Sequence, residues 1–276
     1  MRLQRGLMDL SSSTSRFWRE RILITVKTYP TPHPTHHEAV CTAGINEAGE
    51  WRRLWPIPFR YLEKGRQFRR YEWIDVALRK QSGDPRPESH VVDPDTIVPD
   101  GFIPAGRYWG ARRAILVPHA AASIEELQDR RATDGTSMGF LRPKNVTRLE
   151  LIWQKRSAWS VAQDAQTRQQ QLLASASPLQ ELPFRLRLHY GCDDPRCRGH
   201  EQNITDWEVG ALYFKLRHAG RDMRAAAEET RAVFERFFVE GHETWLFVGT
   251  LGPAKPTFIV TGLFYPKADR QTRLFN

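Results

Sequence analysis

Only three cysteines occur among the 276 residues. So small and odd a number does not make a disulfide framework, and reduced thiols are typical of the cytosol. No segment approaches about 18 consecutive apolar residues, which excludes a transmembrane helix. The first residues have a basic start and a serine run but no continuous apolar stretch, so we expect a disordered leader over residues 1–19 rather than a signal peptide. Together these absences predict a cytoplasmic protein with no membrane partner.

The common catalytic signatures are missing as well. The sequence has no GxxxxGK[ST] loop, no GxGxxG after a strand, no HExxH and no GxSxG. Positive charge, in contrast, is in excess, because 41 Lys and Arg against 32 Asp and Glu give a net charge of +9. Arg outnumbers Lys, and the guanidinium fork matches phosphate geometry. The excess predicts an anionic partner, DNA or RNA first, although general solubility is the alternative explanation.

The N-terminal part of the chain has the pattern of short strands. Alternating apolar residues between turn signals predict a β-rich domain over residues 20–160, with strands at 21–28, 38–45, 51–57 and 71–78. Several short strands of this kind suggest a small barrel or a curled sheet. Residues 81–106 are rich in Pro, Asp and Gly and predict a surface segment. A capping box of Ser123 and Glu126 then predicts a helix.

The C-terminal part follows a polar, small-residue segment at 161–179, which we interpret as a linker. The domain at 180–276 has the predicted order strand (183–189), metal-binding turn, helix (205–217, capped by Thr205), helix (221–239) and hairpin (244–250 and 257–264). The expected fold class is therefore α+β. A small β-barrel-like N-terminal domain precedes a strand, zinc knuckle, helix, helix and hairpin domain.

The turn holds the most specific motif in the chain. Cys192, Cys197 and His200 have the spacing of ligands in structural zinc sites, and a tight loop can direct all three at one ion. A tetrahedral site needs a fourth ligand, for which His189 is the nearest candidate, while His218, His242 and Cys41 are possible through folding. Chance proximity of two cysteines, or a disulfide, is the alternative. We predict a structural zinc ion that fixes the corner between strand and helix.

Acidic residues in the same stretch give a catalytic alternative. Asp193, Asp194, Asp206 and Glu208 could hold Mg²⁺ beside His200 and activate water for phosphodiester hydrolysis. Acids in the first turn of a helix also suit the helix dipole, which explains the last two without catalysis. A metal-dependent nuclease is therefore the second hypothesis.

Residues 51–80, the basic aromatic stretch, contain nine basic and three acidic residues interleaved with Trp, Phe and Tyr. Charge that follows a phosphate backbone, beside rings that stack on bases, is what a strand-based nucleic-acid surface requires. The alternative is that the rings pack in the barrel while the arginines are merely solvated. A scaffold role in a protein complex would use the same surface. The predicted nucleic-acid contacts are Trp51, Arg52, Arg53, Trp55, Arg66, Arg69 and Arg70.

Several segments resemble those of a group of uncharacterised bacterial proteins associated with mobile elements and antiviral gene neighbourhoods. The resemblance is carried by KTYP, AVCTAG, EWRRLWPIPFR, DPRPES, CDDPRCRGHEQNITDWE, WLFVGT and GLFYP, and it spans most of residues 20–266. It implies a prokaryotic, cytoplasmic setting and little else. From the gene neighbourhoods we only expect a link to antiviral defence and partner proteins of a multi-subunit system. The resemblance assigns no catalytic residue.

Overall fold

A computed structural model describes residues 16–33, 37–155, 179–239, 241–252 and 254–268. The N-terminal strands are β1 (Trp18–Lys27), β2 (Thr31–His33), β3 (His37–Asn46), β4 (Trp51–Ile57), β5 (Glu72–Lys80), β6 (Ser89–Val92) and β7 (Val98–Phe102). The C-terminal strands are β8 (Met138–Leu141), β9 (Lys144–Trp153), β10 (Phe184–Gly191), β11 (His200–Ile204), β12 (Trp245–Gly252) and β13 (Lys255–Phe264). The helices are α1 (Gly110–Leu116), α2 (Ile124–Asp134), α3 (Trp207–His218) and α4 (Met223–Glu235).

Five N-terminal strands close into a barrel, as the sequence predicts. The order is β1-β3-β4-β6-β5, and β1 pairs with both β3 and β5 to complete the circle. The β4–β6 pair is parallel, whereas the other barrel pairs are antiparallel. Numbered by barrel strand alone, this connectivity is 1-2-3-5-4-1, that of the Greek-key barrels called OB-folds. Strand β2 extends β3, and β7 extends β5.

The barrel interior follows the alternation of β5. Ile74, Val76 and Leu78 are fully buried, and Trp73 and Asp75 between them are partly exposed, as the alternation of apolar residues over 71–78 predicts. The buried side chains meet Ile22, Ile24 and Leu54 from the other barrel strands.

The C-terminal sheet has the order β8-β12-β13-β11-β10-β9 and is covered on both faces near β12. Because side chains alternate along a strand, Leu246 faces the core formed with the helices, and its neighbour Phe247 faces the barrel. Phe140 and Phe264 flank Phe247 on the barrel side. The barrel and the sheet therefore share an apolar interface.

The sheets divide the chain differently from the expected boundaries. Strands β8 and β9, within the range expected for the first domain, pair inside the second sheet. Strand β1 begins at Trp18, inside the range expected for the leader. The expected linker at 161–179 lies outside the described residues except for its last position. The boundary was expected at 161–179 because that segment is polar. The sheet that a strand joins depends instead on its pairing partners, which local polarity does not show.

Two helix starts illustrate capping. The hydroxyl of Ser123 accepts the Glu126 N–H at 2.9 Å, which confirms the predicted cap of α2. At α3 the cap is Asp206 instead of Thr205, because the Asp206 carboxylate accepts the Glu208 N–H. The Thr205 hydroxyl instead donates to the Val260 carbonyl. None of the helices built from the described residues is long and apolar enough to cross a membrane.

Helix α3 packs directly against the barrel through a glycine. A Cβ atom added at Gly210 would lie 2.2 Å from ring atoms of Tyr29, so a larger residue would displace that ring. Tyr29 also stacks on Phe214 of the same helix, with ring centroids 6.2 Å apart. The Tyr29 N–H donates to the Thr205 carbonyl at 2.9 Å, which ties the end of β1 to the start of α3.

Candidate metal centre and interdomain cleft

Four side chains form a cluster at the corner between β10, β11 and α2. Cys192 follows β10, His200 begins β11, and Glu125 lies in the first turn of α2. The His200 Nε2 atom is 3.3 Å from Cys197 Sγ and 3.3 Å from Glu125 Oε1. One ligand atom from each of the four residues lies within 4.8 Å of every other. The cluster is compatible with a metal ion.

The electrostatics of the cluster fit a cation. Burial raises the pKa of Cys192 to about 12, and the nearby carboxylate of Glu125 adds to that rise. Burial also lowers the pKa of His200, which favours the neutral imidazole that a metal requires. Glu125 is buried, and its Oε2 atom has no hydrogen-bond partner among the described residues. A divalent ion would satisfy that oxygen and stabilise the thiolates.

The fourth member of the cluster is Glu125, and the structure does not bring the expected His189 to it. Strand alternation turns His189 to the outer face of the sheet, where its Nε2 lies 2.9 Å from Glu150 Oε2. Glu125 is remote in sequence and belongs to no spacing pattern with the cysteines. The helix dipole alone explains an acid in the first turn of a helix, so no pattern in the sequence marks Glu125 as a ligand.

The acids of the nuclease hypothesis lie at two separate places and are already engaged. Asp193 is 2.8 Å from Lys144, and Asp194 pairs with Arg196. Asp206 and Glu208 instead approach Arg70 on the barrel, and none of the four acids belongs to the cluster found among the described residues. The arrangement does not favour metal-dependent hydrolysis.

Arg70 and Asp206 form a buried ion pair between the two domains. Arg70 Nη1 is 3.1 Å from Asp206 Oδ2 and 3.0 Å from Glu208 Oε1. Asp206 is only 1% exposed, and it also accepts the Leu263 N–H at 3.0 Å. Burial raises the pKa of Asp206, and the Arg70 guanidinium opposes that shift. This pair has a structural role.

The other predicted nucleic-acid contacts do not form one free cationic face. Arg52 lies at the barrel mouth, 2.8 Å from Glu20. Arg53 is buried and donates to carbonyl oxygens of Ser137 and Thr250 in the second domain. Arg66 pairs with Asp95, and Arg69 pairs with Glu72. Alternate residues of a strand point in opposite directions, which separates neighbours in the stretch.

One face of β3 and β4 nevertheless borders a cleft of about 490 Å³ against the C-terminal sheet. Trp55 and Arg53 line it from β4, Tyr29 from the segment after β1, and Arg86 from the loop between β5 and β6. Trp51 shares the face but packs on Phe247, with centroids 6.1 Å apart. The cleft thus brings together two rings and two guanidinium groups that are spread over 58 positions of the chain.

The fold and the cluster define an α+β protein in which an OB-type barrel is joined to a sheet domain with a Cys/His/Glu cluster. Two family models match it. The "Domain of unknown function (DUF8758)" matches residues 18–118, which contain the barrel, and the "Domain of unknown function (DUF8757)" matches residues 119–276. The second match covers more than half of the chain, and the chain belongs to that family. All four cluster residues lie within it. No curated protein matches the sequence.

Proposed function

We propose that the protein binds single-stranded nucleic acid in the cleft between the barrel and the C-terminal sheet. The observation that carries the proposal is the position of this cleft. It lies on the face of the second and third barrel strands and between the loops after barrel strands one and four. OB-type barrels bind oligonucleotides and oligosaccharides on this face. The barrel connectivity supports only a likeness of fold. The identity of the ligand must therefore be argued from the chemistry of the cleft.

The cleft chemistry suits a nucleobase. Its volume of about 490 Å³ lies within the usual range for small-molecule sites. Trp55 and Tyr29 are partly exposed rings on its wall, and stacking on such rings tolerates any base sequence. Gln81 in the cleft lining can supply hydrogen-bond donors for base edges, whereas Arg86 is already bonded to Asp84 and Thr250.

The charge of the chain supplies the remaining attraction. A net charge of +9 favours encounter with a polyanion, and phosphate contacts then make the affinity depend on salt. Arg69 remains 65% exposed although it pairs with Glu72. In the proposal Arg66 and Arg69 exchange their surface ion pairs for phosphate, whereas Arg52, Arg53 and Arg70 hold the fold.

The Cys/His/Glu cluster in this proposal binds a structural zinc ion. Two thiolates, one imidazole and one carboxylate fill a tetrahedral shell and leave no position for substrate. The ion would fasten α2 to the turn between β10 and β11, and so stabilise the sheet that forms the far wall of the cleft. Partner proteins of a larger system remain a further expectation.

Fluorescence anisotropy tests the binding. Short labelled oligonucleotides of single-stranded DNA, single-stranded RNA and duplex DNA are titrated between about 50 and 200 mM salt, where affinity for a single strand should fall steeply. The Trp55→Ala variant should lose about 1–3 kcal/mol of binding free energy, the cost of one stacked base.

Trp18→Ala is the matched control, because Trp18 is a 41% exposed barrel tryptophan outside the cleft lining. It should bind like the parent protein. Equal losses in both variants, or no binding to any of the three polymers at low salt, would contradict the proposal and leave the scaffold hypothesis.

A further inference from the structure

A second pocket, of about 610 Å³, lies between the barrel and the start of α3. It shares no lining residue with the cleft. The charged side chains that line it are Lys27, Lys64, Arg69, Arg70, Glu72 and Glu208. Lys27 ends β1, and Lys64 lies in a 3₁₀ turn (Lys64–Arg66) of the connection between β4 and β5. The pocket therefore combines residues from both domains.

Lys27 is the unusual member of this pocket. Its side chain is buried, with 8% exposure, yet it forms no ion pair within the part of the chain that the structure describes. The ammonium donates to the Phe68 carbonyl at 3.3 Å, and otherwise it lies against rings, 3.2 Å from the centroid of Phe59 and 4.9 Å from that of Trp207. An ammonium has three donors, so two of them lack an oxygen acceptor among the residues that the structure describes.

Neither of the two carboxylates that line the pocket forms an ion pair with Lys27. Glu72 accepts from the Arg69 backbone N–H at 2.7 Å and from its guanidinium, and Glu208 bonds to Arg70 and to the Tyr265 hydroxyl. Arg70 is neutralised by Asp206, so the four cations face three carboxylates and leave an excess of about one positive charge when Lys27 is protonated. That excess attracts a phosphate monoester, which carries a charge of about −1.5 to −2 at neutral pH.

We propose that this pocket binds a phosphate monoester, with Lys27, Lys64 and Arg69 as the donors to its oxygens. Arg70 contributes charge but no direct bond, because Asp206, Glu208, Thr25 and Leu263 already engage its nitrogens. Trp207 and Phe59 form the apolar wall for the group that carries the phosphate. A free small-molecule phosphate and the phosphorylated end of a nucleic-acid strand share this chemistry.

The electrostatics of Lys27 support such a site. Burial and the neighbouring Arg70 lower its pKa to about 7, and Glu72 opposes that shift. Lys64 and Arg69 add further positive charge at the same opening, while Glu208 is held by Arg70. A bound dianion would restore full protonation of Lys27, so the ligand and a proton should bind cooperatively.

Trace acetylation of the parent protein tests the site. Acetic anhydride is applied with and without inorganic phosphate, and modification of each lysine is read by peptide mass spectrometry. With phosphate at about ten times its Kd or more, Lys27 should be protected about tenfold or more, because only the unoccupied fraction of the sites reacts, while exposed Lys215 stays unprotected. Unchanged labelling of Lys27 under saturating phosphate would overturn the proposal, and so would a failure of Lys27 to react at all.

Calorimetric titration then distinguishes the sources of the phosphate. The ligands are inorganic phosphate, a nucleoside monophosphate, a 5′-phosphorylated oligonucleotide and the same oligonucleotide with a 5′-hydroxyl. Lys27→Met should weaken phosphate binding by about 10- to 100-fold, and Lys215→Met should not. Tighter binding of the phosphorylated strand than of the 5′-hydroxyl strand indicates a strand end, and preference for the monophosphate alone indicates a small molecule.

The Trp55→Ala variant distinguishes a failure of the cleft to bind a strand from a failure of the second pocket to bind phosphate. Because Trp55 does not line the second pocket, its loss should leave phosphate protection of Lys27 unchanged, even where strand binding fails. Equal phosphate affinity in the parent and in folded Lys27→Met protein would refute the phosphate site without bearing on the cleft.

Discussion

The turn at residues 192–200 and the basic aromatic stretch at residues 51–80 are both rich in residue types that bind metal ions or nucleic acid. The fold keeps the side chains of the turn together but separates those of the stretch. In the turn, a tight loop keeps Cys192, Cys197 and His200 together. In the stretch, strand alternation sends Arg52 to the barrel mouth and Arg53 into the domain interface. Spacing in a short turn therefore predicts proximity, whereas density along strands predicts only that several faces are polar.

Loss of a metal ligand should produce the largest effect on stability. It tests whether the residues of the turn at 192–200 bind one ion. We expect Cys192→Ser to lose the zinc ion and to lower the free energy of unfolding by more than about 3 kcal/mol, because binding of a structural ion contributes directly to folding. Metal content by plasma mass spectrometry and thermal unfolding, with and without a chelator, measure both quantities.

The pair Glu125→Ala and His189→Ala identifies the fourth ligand. Glu125→Ala should weaken zinc affinity more than about tenfold, while His189→Ala, on the outer sheet face, should keep stoichiometric zinc. Zinc retained by Glu125→Ala and lost from His189→Ala would reverse the assignment.

Arg70→Met tests the second half of the comparison. The sequence places Arg70 among the nucleic-acid contacts, yet it is paired with Asp206 in the interface between the domains. Removing one partner leaves an uncompensated buried charge, so we expect a loss of about 3–5 kcal/mol in the free energy of unfolding. Urea denaturation measures it.

The double variant Arg70→Met with Asp206→Asn is the control for Arg70→Met. It removes both charges and should recover part of the loss. An unchanged stability in the single variant would show that the pair contributes nothing.

The sequence predicts those parts of the fold that rest on local patterns. Alternation identified most barrel strands and the two faces of β5, and the capping box located the start of α2. The closed barrel was expected, but its connectivity was not. The parallel β4–β6 pair joins two strands between which β5 and two connections intervene in the sequence, and nothing local encodes that choice.

The candidate sites show the same division. Three cluster residues follow from spacing in one turn, whereas Glu125 arrives from a helix far upstream. Lys27 carries no sequence signal, because a lysine at the end of a strand is usually solvated. Only the packing of Phe59 and Trp207 around its ammonium makes it distinctive. Sites built from several elements need the tertiary structure.

Lys27→Met should change how stability depends on pH. The folded pKa is about 7, below the ordinary lysine value of 10.5, so the unfolded chain binds more protons between these values and stability rises with pH there. Between pH 7 and 9 the contribution of this one group is about 2 kcal/mol. Chemical denaturation at both pH values should show that rise in the parent and its loss in Lys27→Met. A rise of equal size in both proteins would assign it to other groups.

Arg66→Ala should have the smallest effect on stability. It tests whether Arg66 contacts phosphate, as predicted for the basic aromatic stretch. Its partner Asp95 is highly exposed, and a surface ion pair of this kind contributes less than about 1 kcal/mol. If Arg66 exchanges Asp95 for phosphate, the slope of log affinity against log salt should fall by about 0.7 for a single strand. Asp95→Ala, which releases Arg66 from its pair, should then strengthen binding. An unchanged slope in Arg66→Ala would show that Arg66 makes no phosphate contact, and would leave Arg69, which is 65% exposed, as the remaining candidate among the predicted arginines of the stretch.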